Sequence, residues 1–120
     1  MRNRIGLLLL AILVWTTTTS AFHFELIRST PANNVTVKAA PTRLQLFFTQ
    51  VPAAGVSQLS LKNEAGDVAI GKTVIVPKDK SMYADATAPL TNGRYTIHWR
   101  GAGDDGHVQQ GDIVFTVAVK

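Results

Sequence analysis

No segment beyond residue 21 of this 120-residue chain carries a sustained 3.6-residue apolar period. Short stretches with alternating side chains follow one another instead, cut by turn formers every 8–12 residues or so, and a helix has nowhere to form. Leu44, Leu46 and Phe48 fall on one face of Arg43 to Thr49, after Pro41. Strand-like runs are also expected at Phe24 to Arg28, Val35 to Val37, Val56 to Lys62, Val68 to Ile70, Thr73 to Val76, Met82 to Ala86, Tyr95 to Arg100 and Ile113 to Val119. Asn33-Asn34, the loop from Asn63 to Asp67, Pro77 with Lys78-Asp79-Lys80, and Asn92-Gly93 separate them. The expected fold is all-β: one immunoglobulin-like β-sandwich of about seven antiparallel strands. Trp99 and Phe115 are expected in its core.

The first 21 residues read differently. Arg2 and Arg4 precede an unbroken apolar run from Ile5 to Trp15, and small residues close it at Ser20-Ala21. That is the layout of a secretory signal peptide, and the run is well short of the roughly 20 residues a spanning helix needs. The expectation is a leader over 1–21, cut at 21/22 or 22/23, and one mature domain over 22–120 that does not span a membrane. Without Arg2 and Arg4, ten basic side chains face eight acidic ones, a net charge of +2. No basic run or basic-aromatic stripe remains, so no nucleic-acid partner is expected. Cysteine is absent, which excludes disulfides, thiolate metal sites and a cysteine nucleophile.

Between the last two strands lies Gly101-Ala102-Gly103-Asp104-Asp105-Gly106-His107. Its glycines satisfy G-x-G-x-x-G, but that fingerprint requires a helix immediately afterwards to hold a pyrophosphate, and here a strand follows. The match is accidental. Asn34-Val35-Thr36 fits a glycosylation sequon that recurs by chance, and no serine sits in a nucleophile-elbow context. On composition alone, Asp105-Gly106-His107 is a polar turn whose aspartate caps backbone N–H groups while the histidine faces water. His98 reads as a partly buried strand residue beside Trp99.

His23 shifts the balance for His107, because it stands almost at the expected cleavage point. An N-terminal histidine can chelate through its α-amine and ring Nδ1 together. With the His107 imidazole and an Asp105 oxygen, the set becomes three nitrogens and a carboxylate, donors that suit Cu(II). The amine has an ordinary pKa of about 7.7–8.0, so metal must displace a proton and affinity should fall with pH.

These residues resemble the CopC family of periplasmic copper-resistance proteins. His23-Phe24-Glu25-Leu26-Ile27-Arg28-Ser29-Thr30-Pro31-Ala32 matches its opening H-x-x-L-x-x-S-x-P-A, and Pro41 with Leu44, Leu46 and Phe48 resembles its next block. Gly93 to Arg100 resembles its G-x-Y-x-V-x-W-R strand. Asp105-Gly106-His107, Gly111 and Phe115-Thr116-Val117 resemble its D-G-H…G…F-x-V ending. The likeness spans essentially the whole mature chain. It implies a seven-stranded Greek-key sandwich in the bacterial periplasm that binds copper as Cu(II) and is not an enzyme, with His23 as N-terminal bidentate ligand, His107 as second imidazole and Asp105 as carboxylate. It further implies an inner-membrane copper importer of the CopD type as partner.

The chain departs from the family pattern twice. Members with a second, methionine-rich Cu(I) site have several thioethers, whereas Met82 is the only methionine left after the leader. Phe22 also intervenes between Ala21 and His23; cleavage after Ala21 would make His23 second and replace the N-terminal chelate with the Phe22 amine, the intervening amide and the His23 ring. Two other classes remain open: an exported immunoglobulin-like interaction module without metal, and a copper-dependent oxidative enzyme built on an N-terminal histidine.

Overall fold

The computed structural model describes Ile12 and residues 23–120. Apart from Ile12, the leader expected over 1–21 lies outside the described residues, as does Phe22. The order is β1 (Leu26–Thr30), β2 (Val35–Val37), β3 (Arg43–Phe48), β4 (Gln58–Asn63), β5 (Gly66–Val68), β6 (Val74–Val76), a 3-10 turn at Pro77–Asp79, β7 (Ser81–Asp85), β8 (Gly93–Gly101) and β9 (Gln109–Val117). One sheet runs β1-β3-β7-β6 and the other β2-β9-β8-β4-β5.

Alternation decides which face is buried. Leu44, Leu46 and Phe48 of β3 point inward with Met82 and Ala84 of β7. Leu59 and Leu61 of β4, Tyr95, Ile97 and Trp99 of β8, and Ile113, Phe115 and Val117 of β9 meet them from the other sheet. Tyr95 stacks on Phe115, with ring centroids 5.4 Å apart. Its hydroxyl donates to the Thr91 carbonyl at 2.7 Å, so burial leaves no phenol unpaired. Trp99 and Phe115 are core, as their place in the pattern predicts.

The all-β sandwich stands, with differences in detail. Nine strands form among the described residues instead of about seven, because β2, β5 and β6 are three-residue strands at sheet edges. One pair is parallel: β2 runs alongside β9, with Val35 opposite Phe115 and Val37 opposite Val117. The link from β1 to β2 crosses between sheets and is not a hairpin, so nothing forces the antiparallel direction that a tight turn imposes.

Some boundaries also move. The loop expected over Asn63 to Asp67 closes to a two-residue turn joining β4 to β5. Val56 falls in a turn, and β9 starts at Gln109, four residues before its apolar alternation becomes visible. Ile70 makes only an isolated bridge to Ala86.

Candidate metal centre

The loop from Gly101 to His107 joins the two longest strands, β8 and β9, which pair from Gly93–Val117 to Gly101–Gln109. Its first three residues are buried and its last four exposed. Of its three glycines only Gly106 has a positive φ, 72°, which turns the chain between Asp105 and His107. Gly103 answers to a close approach instead. A Cβ there would run into the Gln50 carboxamide and lie 3.2 Å from Phe24 Cβ.

Asp105 and His107 meet. The His107 backbone N–H donates to Asp105 Oδ1 at 3.1 Å, and His107 Nδ1 lies 3.4 Å from Asp105 Oδ2. The His107 side chain is 86% exposed and that of Asp105 41%. The carboxylate therefore does cap a backbone N–H, and it also presents its second oxygen to an imidazole in open solvent. A carboxylate oxygen beside an accessible imidazole is a donor pair that a divalent cation can share.

His23 lies in the segment that borders this loop. Phe24 is buried beneath it, stacked on Phe48 at 4.5 Å and edge-on to Trp99 at 6.3 Å. Strand alternation therefore turns His23 and Glu25, on either side of Phe24, outward. Thr49 extends the β1–β3 pairing past the end of both strands. Its N–H donates to the Glu25 carbonyl at 2.9 Å, and its hydroxyl donates to the His23 carbonyl at 2.8 Å while accepting from the Glu25 N–H at 3.0 Å. Gln50 Oε1 accepts from the Asp104 N–H at 3.0 Å, and the Ala53 N–H reaches the Ala102 carbonyl at 2.8 Å.

The structure thus brings Asp105 and His107 together and sets His23 in a neighbouring segment. Among the described residues it does not gather three His, Asp or Glu side chains into one metal-holding group. Thr49 and Gln50 escaped the sequence reading, which looked for metal donors. Their one signal is position: a polar pair directly after an apolar strand face and just before Val51-Pro52.

His98, half-buried as expected, pairs across strands with Asp112, Nδ1 to Oδ1 at 2.7 Å, on the outer face of its sheet and apart from the loop. Met82 is fully buried between the sheets, where its thioether can reach no ion from solvent. No helix among the described residues is long and apolar enough to cross a membrane.

A family model described as the CopC domain matches residues 26–118. The chain belongs to the CopC domain family. That match takes in Asp105 and His107 and begins just after His23. This CopC-family chain is 32% identical over 114 residues to copper resistance protein C of Xanthomonas campestris pv. juglandis, covering 82% of this chain and 83% of that one. It is 28% identical to copper transport protein CutJ of Bacillus subtilis over 97% of its own length but only 22% of CutJ, so it corresponds to less than a quarter of that protein.

Among solved structures it is similar to PcoC, a methionine-rich copper resistance protein from Escherichia coli, with a TM-score of 0.72 and 31% identity over 80% of this chain and 99% of PcoC. CopC from Methylosinus trichosporium OB3b shares the fold, with a TM-score of 0.73 at 24% identity over 81% of this chain and 95% of that one. PcoC is described as methionine-rich; in this chain the one described methionine is a core residue.

Proposed function

We propose that this protein is a non-catalytic copper carrier or buffer of the bacterial periplasm, holding one Cu(II) through His23, Asp105 and His107 and serving copper tolerance or delivery. The observation that carries the reading is the Asp105–His107 pair, solvent-open and mutually oriented on the loop bordered by the amino-terminal segment. Membership of a family whose relatives are named for copper resistance and copper transport supports copper as the cargo. Nitrogen and carboxylate donors favour the divalent ion, and burial of Met82 withdraws the one thioether among the described residues that could favour Cu(I).

On this reading the leader is cut at 22/23 on export, so that His23 contributes its α-amine as well as its ring. The partner class that would receive or supply the ion is an inner-membrane copper importer of the CopD type.

Two measurements on the exported protein test this. Intact mass distinguishes a chain starting at His23 from one starting at Phe22, the former giving the bidentate terminal ligand. Electron paramagnetic resonance of the Cu(II)-loaded protein should give a type 2 spectrum that changes in His107→Ala. A spectrum identical in the wild type and the variant would remove His107 from the ligand set and the proposal with it.

A further inference from the structure

A site assembled from a chain terminus and a loop some eighty residues away needs something to fix the gap between them. Phe24, packed beneath Gly101 and Gly103, brings the two stretches side by side but does not itself hold the exposed residues on either side of the gap. His23 and Asp105 are exposed, and no hydrogen bond joins the amino-terminal segment directly to residues 104–107 among the described contacts. What touches both is the end of β3. Thr49 holds the amino-terminal side, its hydroxyl bridging the His23 carbonyl at 2.8 Å and the Glu25 N–H at 3.0 Å. Gln50, the next residue, holds the loop side, its carboxamide oxygen accepting the Asp104 N–H at 3.0 Å. Gly103 leaves the space that the Gln50 side chain fills.

From this juxtaposition we infer that Thr49 and Gln50 are the positioning pair of the metal centre: two adjacent residues that register His23 against Asp105 and His107 before the ion arrives. The inference rests on the copper reading above. Its physical basis is preorganisation, since donors already held near their bound arrangement lose less freedom on binding. Neither residue is assigned as a ligand. Phe24 anchors the same segment from below, so losing the Thr49 hydroxyl should loosen the site without unfolding the sandwich.

The test uses the exported full chain with Cu(II) and a competing chelator. Thr49→Val and Gln50→Ala should each weaken Cu(II) binding roughly three- to tenfold, the range that loss of one ordinary hydrogen bond supplies, and each should shift the copper resonance parameters. Thr49→Ser, which keeps the hydroxyl, should restore both properties. Thermal unfolding of the metal-free variants separates lost positioning from lost fold: each should still unfold cooperatively, with a midpoint lowered by no more than the roughly 4–8 °C that one hydrogen bond supplies in a domain of this size.

A metal-free readout keeps the inference distinct from the copper proposal: amide hydrogen exchange should accelerate at Glu25 in Thr49→Val and at Asp104 in Gln50→Ala. Failure of the wild type to bind Cu(II) would overturn the copper reading. Unchanged affinity and spectra in both variants, or equal losses in Thr49→Ser and Thr49→Val, would overturn the positioning role while copper binding stood.

Discussion

Asp105-Gly106-His107 combines two requirements in three residues: a backbone turn that needs φ of 72° at its centre, and two side chains that the turn aims at each other. The His107 side chain is exposed, and its pairing among the described residues is with Asp105. His107→Ala should therefore leave the urea midpoint of the metal-free protein within the roughly 0.5 kcal/mol typical of exposed positions. Gly103 is the opposite case, since its hydrogen atom faces the Gln50 carboxamide and Phe24. Gly103→Ala should expel the Gln50 side chain, break its bond to the Asp104 N–H and cost about 1 kcal/mol in chemical unfolding. The contrast can be checked in one experiment, because the site-bearing residue should prove neutral and its silent neighbour should not.

At the scale of elements, β3 carries most of the consequence. Its inward face supplies Leu44, Leu46 and Phe48 to the core, and its continuation supplies Thr49 and Gln50 to the site. Leu46→Ala should cost about 2–5 kcal/mol in urea unfolding, because it opens a cavity between sheets that are already closely packed. The outward face offers a milder, pH-dependent contribution. Arg43 at the start of β3 makes a paired contact to Asp85 of β7, 2.7 Å from Nε to Oδ1 and 3.2 Å from Nη2 to Oδ2, and stacks over Tyr83. The guanidinium hydrogen bond holds the Asp85 carboxyl below its ordinary value of 3.8, with desolvation opposing it and the Arg43 charge adding to it. A depressed carboxyl stabilises the fold above the unfolded-state pKa and loses that contribution as pH falls through the folded one. Asp85→Asn should thus flatten the stability profile below about pH 4 and leave its slope near neutrality unchanged. The pair is exposed, so the effect should be small and should shrink in salt.

For the molecule as a whole, a ligand that binds only the folded sandwich must raise its melting temperature. Cu(II) at about a thousand times its Kd should add about 4 kcal/mol of stability, read as a concentration-dependent rise in calorimetry that His107→Ala diminishes. A sandwich with no metal affinity would show no such rise, and this experiment separates a copper carrier from an interaction module of the same fold.

The alternation of β3, β4, β8 and β9 made the sandwich legible in the sequence. Period-two burial is a local property, written residue by residue in Leu44-x-Leu46-x-Phe48 and Tyr95-x-Ile97-x-Trp99. The same locality explains Asp105 and His107, two positions apart and brought together by their own turn. Val35 to Val37 and Thr73 to Val76 were legible as the strands that became β2 and β6, but the parallel direction of the β2–β9 pair was not, because it is set by where the chain crosses between sheets. Nor could the sequence reveal Thr49 and Gln50, whose partners lie 24 to 54 residues away. Side-chain type and spacing specify what a residue can donate to an ion. Only the packing of Phe24 beneath the glycine loop decided which two stretches of chain lie side by side there, because that contact is made across the core and leaves no trace in either stretch alone.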